Sequence, residues 1–125
     1  SLHYFGKQLG LAFQVVDDIL DFTASDQQLG KPASTDLASG YLTAPALYAL
    51  EEKPKLSILI EREFSEQGDL EEALILVRNS QAIKRTRELA ENFAKGSREA
   101  LTWLPDSPSR RALLELPDFV LSRLY

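Results

Sequence analysis

Apolar residues recur at helical spacing along nearly the whole chain of 125 residues. Glycine, proline and polar stretches interrupt this pattern and divide it into separate segments. The predicted helices cover residues 4–23, 43–52, 55–68, 69–77, 80–104 and 107–125. No segment shows the alternating pattern of a convincing strand, so the sequence predicts an all-α helical bundle. At 44% hydrophobic residues it can form one compact domain over 1–125.

Several residues mark where these helices should begin and end. Gly68 is expected to end the helix over 55–68, as glycine commonly does. Asp69 stands three residues before Glu72, which resembles a capping box with Asp in place of Ser or Thr. Ser107 is expected to cap the last helix, in which Pro117 should introduce a bend.

The first predicted helix carries three aspartates within an otherwise apolar run, AFQVVDDILDF at residues 12–22. On a helix, one polar stripe contains Lys7, Gly10, Gln14, Asp17 and Asp21, with Asp18 at its border. Apolar residues cover the other faces, which indicates a helix buried on most sides. We therefore expect the stripe to face a cavity that holds water.

Three carboxylates in such a position require a compensating cation. At roughly 6 Å and an effective dielectric constant near 20, each pair repels by about 3 kcal/mol. The carboxylates also lie near the helix C-terminus, where the helix dipole disfavours anions. The simpler interpretation is a solvated acidic pair, which costs only a few tenths of a kcal/mol, but the apolar flanks disfavour it. Oxygen ligands without His or Cys select a hard ion such as Mg²⁺.

Composition limits the possible partners. The net charge of −5 argues against nucleic acid or an anionic membrane as the main partner. The absence of cysteine excludes a thiolate zinc site and suits a reducing compartment. No apolar run approaches the ~20 residues of a transmembrane segment. The first residues, SLHYFGKQLG, lack a start methionine and a cleavage site, so we expect a piece of a longer protein.

Lys31 lies in the segment LGKPASTD, between Gly30 and Pro32. Lysine binds phosphate as a point charge, although this tripeptide alone is more typical of a solvated lysine in a turn. Together with the acidic stripe, Lys31 indicates a diphosphate held through magnesium.

The segments YFGKQLGLAFQVVDDILDF, LGKPASTDL and LTAPALYALEE together resemble the second aspartate-rich region of the all-trans polyprenyl diphosphate synthases. The final segment, ALLELPDFVLSRLY, resembles the closing helix of long-chain members, in particular the solanesyl type of cyanobacteria and plastids. The resemblance implies the C-terminal portion of the isoprenoid synthase fold, with the upstream half absent. It also implies a location in the cytoplasm or in the plastid stroma.

The resemblance implies a role for each matching residue. Asp17 would bind Mg²⁺ directly, and Asp18 and Asp21 would complete the site that holds the allylic diphosphate. Lys31 would contact the same diphosphate. Phe13 and Gln14 would face the reacting carbons, and Asp17, Asp18 and Gln14 are the implied catalytic residues. The implied reaction joins isopentenyl diphosphate to the allylic substrate, repeatedly.

Two neighbouring positions also bear on the resemblance. Asp36 would lie behind the metal ligands and support them. Tyr41 stands where many relatives have lysine, so one phosphate-side cation is missing or replaced. Arg123 could reach the diphosphates, although an ordinary surface arginine is the simpler interpretation.

The first aspartate-rich motif and the isopentenyl diphosphate site have no counterpart in these 125 residues. We therefore expect this segment alone to be inactive and to self-associate, most simply as a homodimer. A non-catalytic subunit of a heteromeric synthase is the alternative, and a class I terpene cyclase is a more distant one. The three intact aspartates and Lys31 favour the enzyme.

Overall fold

The computed structural model describes residues 1–23 and 35–125, and of Thr35 only the backbone. Within these ranges there are seven helices and no strand, which confirms the all-α prediction. The helices are α1 Leu2–Thr23, α2 Thr35–Ala38, α3 Ala44–Glu52, α4 Lys55–Glu61, α5 Asp69–Arg78, α6 Ala82–Glu99 and α7 Pro108–Ser122. None of the helices described has the length and apolar content that crossing a membrane would require.

The chain divides into two compact units. The first contains Ser1–Asp17 and Arg87–Tyr125, and the second contains Asp18–Thr86. In the first unit, Phe5 and Leu101 are buried together with Ala100, and leucines of α1 and α7 pack against them. The core of the second unit is larger and includes Phe22, Leu37, Ala46, Ala49, Leu56, Leu59, Ala73, Val77 and Ala82.

The prediction that the helix over 55–68 ends at Gly68 was wrong. Instead of continuing to Gly68, α4 ends at Glu61, because Glu63 and Phe64 both adopt a left-handed backbone with φ of 55°. Gly68 has φ of 85° and is the residue that precedes α5. A positive φ costs glycine little, which explains why glycine occupies this position. Gly68 thus stands at the start of a helix and not at the end of one.

The prediction of a capping box at Asp69 was also wrong. Asp69 is the first residue of α5, and its buried carboxylate accepts hydrogen bonds from the Arg62 side chain at 2.8 and 2.5 Å. The same carboxylate accepts a hydrogen bond from the backbone N–H of Glu66 at 3.0 Å. The hydrogen bond from Arg62 is the main reason why the pKa of Asp69 lies below its usual value. Asp69 thus fixes the turn between α4 and α5.

The prediction for the start of the last helix is confirmed. Ser107 has an extended backbone, and its hydroxyl oxygen accepts a hydrogen bond from the N–H of Arg110 at 3.0 Å. This bond satisfies one of the backbone donors that are unpaired at a helix N-terminus. The helix α7 continues through Pro117 to Ser122. The bend at Pro117 stays a prediction.

Candidate functional site

The last two turns of α1 carry the three aspartates. Asp18 and Asp21 are buried, with only 8% and 3% of their surface exposed. The side chain of Asp17 is 42% exposed. A carboxylate is stable in a buried position only when hydrogen bonds or opposite charges compensate for the lost water. The two buried aspartates are therefore the most unusual residues of this helix.

Asp21 accepts a hydrogen bond from the backbone N–H of Asp36, with a distance of 3.3 Å between Asp36 N and Asp21 Oδ2. Asp36 lies in α2, which follows α1 in the chain. The sequence suggested that Asp36 supports the metal ligands. The structure brings the two residues together, through the backbone of Asp36. A hydrogen bond of this kind favours the charged form of a carboxylate and fixes its orientation.

Asp17 forms an ion pair with Arg123, with 3.0 Å between Asp17 Oδ1 and an Nη atom of the arginine. The guanidinium of Arg123 also lies over the ring of Phe13, 5.2 Å from its centroid. Phe13 and Asp17 are four residues apart on α1, so both belong to one face of the helix. Arg123 is thus one of the compensating cations that the acidic helix was expected to require.

A second arginine lies at the C-terminal end of α1. The side chain of Arg78 donates a hydrogen bond to the carbonyl oxygen of Phe22 at 3.4 Å. A cation near the final carbonyl groups of a helix interacts favourably with its dipole. Arg78 therefore offsets part of the negative potential that the aspartates experience at this end of α1.

The two residues expected to face the substrate lie on the exposed side of α1. The side chain of Phe13 is 46% exposed, and Gln14 is exposed as well. Leu11 is also exposed, so the expectation that apolar residues bury this helix on most sides was wrong for Leu11. The helix that carries the three carboxylates thus also exposes two large apolar side chains, Leu11 and Phe13.

Of the two remaining positions discussed for the site, the structure describes Tyr41 and not Lys31. Lys31 lies outside the described residues. Tyr41 follows α2, and its side chain is exposed. Its backbone N–H donates a hydrogen bond to the carbonyl oxygen of Asp36 at 2.9 Å, which closes the turn after α2.

The aspartates of α1 offer carboxylate oxygens, the ligand type that a magnesium ion prefers. Within 1–23 and 35–125, no three His, Cys, Asp or Glu side chains are grouped so that they could hold a metal by themselves. Mg²⁺ usually takes only one or two carboxylates, and completes its shell with water and substrate phosphates. The aspartates of α1 fit such a shared site, in which the diphosphate supplies the remaining ligands.

The sequence also matches a family of known proteins. Residues 1–77 match the family model of the polyprenyl synthetases. The chain belongs to the polyprenyl synthetase family. The match includes all of α1 and extends through α5 as far as Val77. The family membership predicted from the aspartate-rich helix together with the segments LGKPASTDL and LTAPALYALEE is thereby confirmed.

Relatives in the family are similar over nearly all of this chain. A prenyl transferase of Synechocystis sp. is 57% identical over 99% of the chain and 38% of its own length. Solanesyl diphosphate synthase 2 from chloroplasts of Arabidopsis thaliana is 53% identical over 99% of the chain and 30% of its own length. The chain thus spans between 30% and 38% of the length of these two relatives.

Solved structures of family members have the same helical fold. The heptaprenyl diphosphate synthase of Staphylococcus aureus matches 95% of the chain and 38% of its own, with a TM-score of 0.88 and 31% identity. A polyprenyl synthase of Caulobacter crescentus, in complex with calcium and isoprenyl diphosphate, matches 97% of the chain and 38% of its own. Its TM-score is 0.82 and its identity is 35%.

Proposed function

We propose that the full-length protein containing this segment is a magnesium-dependent prenyltransferase. It elongates an allylic diphosphate with isopentenyl diphosphate to an all-trans polyprenyl diphosphate. The observation that carries the proposal is the burial of Asp18 and Asp21 on α1, within the residues that match the polyprenyl synthetase family. Carboxylate oxygens are the ligands that a hard divalent cation such as Mg²⁺ takes, so two buried carboxylates on one helix of a family member support a metal-binding role.

In this proposal Asp17, Asp18 and Asp21 hold magnesium. Asp17 is a direct ligand, and Asp18 and Asp21 complete the site directly or through water. The bound ion would stabilise the negative charge that develops on the departing diphosphate. The hydrogen bond from Asp36 N to Asp21 supports this role, because it orients a carboxylate oxygen before substrate binds. Preorganised charges contribute most to catalysis, since they need no rearrangement during the reaction.

The substrate contacts are assigned to residues on either side of the aspartates. Lys31 binds the allylic diphosphate as a positive point charge. Phe13 and Gln14 face the carbons between which the new bond forms. The ring face of Phe13 and the amide dipole of Gln14 stabilise positive charge that develops there. The Arg123 guanidinium above Phe13 supports this assignment, because it shows that the ring accepts a cation on its face.

The relatives support the choice of ion and product. The Caulobacter crescentus structure contains a hard divalent cation together with isoprenyl diphosphate. Hard cations prefer oxygen ligands, which is the chemistry that the aspartates of α1 offer. Solanesyl diphosphate synthase 2 of Arabidopsis thaliana chloroplasts supports a long-chain product and, of the two expected locations, the plastid.

Residues 1–125 would form the C-terminal part of one all-α domain, completed by an upstream half. That half supplies the first aspartate-rich motif and the isopentenyl diphosphate site, so the segment alone is inactive. The full-length protein would act as a homodimer. The exposed Leu11 and Phe13 support the need for further covering residues, because burial of large apolar side chains stabilises a fold.

The direct test is an elongation assay on the full-length protein with an allylic diphosphate and radiolabelled isopentenyl diphosphate. We expect labelled polyprenyl products in the presence of Mg²⁺. Removing Mg²⁺ with a chelator should lower the initial rate about 100-fold or more, because the ion contributes several kcal/mol of charge stabilisation. A purified, folded homo-oligomer that makes no labelled product would instead support a non-catalytic subunit. Adding back Mg²⁺ after chelation serves as the control.

A further inference from the structure

Arg123 contacts the same face of α1 that carries the proposed metal ligand. It is the residue that directly follows α7, and its backbone N–H donates to the carbonyl oxygen of Val120 at 3.4 Å. From this position its guanidinium pairs with Asp17 Oδ1 at 3.0 Å and lies over the ring of Phe13. One side chain thus contacts both a proposed metal ligand and a residue proposed to face the substrate.

We propose that Arg123 is an internal counter-ion that holds Asp17 while no divalent cation is bound, and that a divalent cation displaces it. The inference rests on the proposed function, because it takes Asp17 to be a metal ligand. It adds a competition between a side chain of this protein and the metal. Arg123 is a positioning residue in this role, since it acts on the site through Asp17.

The ion pair and a bound metal compete for the same carboxylate. The arginine nitrogen lies 3.0 Å from Asp17 Oδ1, and a magnesium ion on this carboxylate would stand close to the guanidinium. Two cations so close repel each other. Metal binding therefore disfavours the ion pair, and the ion pair disfavours metal binding.

The ion pair is also weak enough to exchange. The side chains of Arg123 and Asp17 are 36% and 42% exposed. Ion pairs as exposed as this one stabilise proteins only slightly, and water can replace either partner. The contact with Phe13 gives the guanidinium a second reason to stay near α1 in the metal-free state. Arg123 should therefore reduce the metal affinity by a modest factor and not block the site.

The test is a calorimetric titration of Mg²⁺ into the full-length protein in the presence of inorganic diphosphate, with the diphosphate solution alone as the blank. We expect Arg123→Gln to bind Mg²⁺ about two- to fivefold more tightly than the wild type, the factor that corresponds to an exposed ion pair. Arg123→Lys should bind with near wild-type affinity, because it retains the charge. The matched control is Arg111→Gln on α7, which removes an exposed arginine paired with Asp106 and should leave the affinity unchanged.

Measuring Mg²⁺ affinity in Asp17→Asn, with and without Arg123→Gln, distinguishes a failure of the competition from a failure of the proposed metal site. If Asp17 binds metal, this substitution weakens Mg²⁺ binding, and adding Arg123→Gln then has no further effect. Unchanged Mg²⁺ affinity in Asp17→Asn would contradict the metal assignment itself. Weakened binding in Asp17→Asn together with unchanged or weaker binding in Arg123→Gln would overturn only the competition. Thermal scans in chelator establish that each variant is folded.

Discussion

Replacing Asp17 with alanine in the full-length protein should lower turnover about 10²- to 10³-fold, the usual cost of removing one preorganised group that stabilises developing charge. The helical circular dichroism signal should not change. Asp17 is 42% exposed, and its ion pair with Arg123 is an exposed one that contributes little to folding. Steady-state rates at saturating Mg²⁺, compared with thermal scans, would separate lost catalysis from lost structure.

The matched control for this experiment is Asp106→Ala. Asp106 is also an exposed aspartate paired with an arginine, Arg111, at 3.6 Å. It lies outside α1, just before α7, and its removal should leave turnover close to wild type. Turnover within a few-fold of wild type in Asp17→Ala would remove Asp17 from the mechanism.

Replacing Asp69 with asparagine should lower the melting temperature of the full-length protein by several degrees at neutral pH. The carboxylate is buried and accepts two hydrogen bonds from Arg62, so its loss leaves the guanidinium with only the exposed Glu66 as an ion-pair partner, at 3.2 Å. Activity at temperatures well below unfolding should be retained. Differential scanning calorimetry on the wild type and the variant measures this effect.

The difference between wild type and Asp69→Asn should also depend on pH. The pKa of Asp69 is lowered in the folded protein, chiefly by the hydrogen bond from Arg62. The stabilisation is therefore fully present above the ordinary aspartate pKa of about 3.9, and is lost as the pH falls through the lower, folded value. The two melting temperatures should converge below about pH 4.

Asp118→Asn is the control for the Asp69 prediction. Asp118 is paired with Arg98, but its side chain is exposed, and its removal should change the melting temperature much less. An equal effect of the two substitutions at neutral pH, or a constant Asp69→Asn difference down to pH 3, would contradict the structural role of the Arg62–Asp69 pair.

The sequence predicted helix ends well where the signal is local. Ser107 caps α7 as expected, because its hydroxyl reaches an N–H only three residues away. The predictions at Gly68 and Asp69 were wrong, because contacts from outside the helix determine the backbone conformation there. Asp69 pairs with Arg62 from the preceding turn, and Glu63 adopts a left-handed backbone that its residue type does not predict.

In the candidate site, too, local features could be predicted and tertiary contacts could not. The clustering of Asp17, Asp18 and Asp21 on one helix follows from their spacing, and so does their need for cations. Which cations compensate them depends on tertiary contacts, and no local pattern indicated that Arg123 would reach Asp17 or that Arg78 would reach the end of α1. The burial of Asp18 was missed for the same reason, since the helical stripe placed it at a border.

The measurement that tests the magnesium and diphosphate site most directly is a set of thermal scans of the full-length protein with Mg²⁺, with inorganic diphosphate, and with both. Ligands that bind only the folded state raise the melting temperature, and ligands that share a site do so cooperatively. We expect the shift with both to exceed the sum of the separate shifts, and this excess to disappear in Asp21→Asn. Additive shifts, or an excess that persists in Asp21→Asn, would contradict a diphosphate held through magnesium on α1.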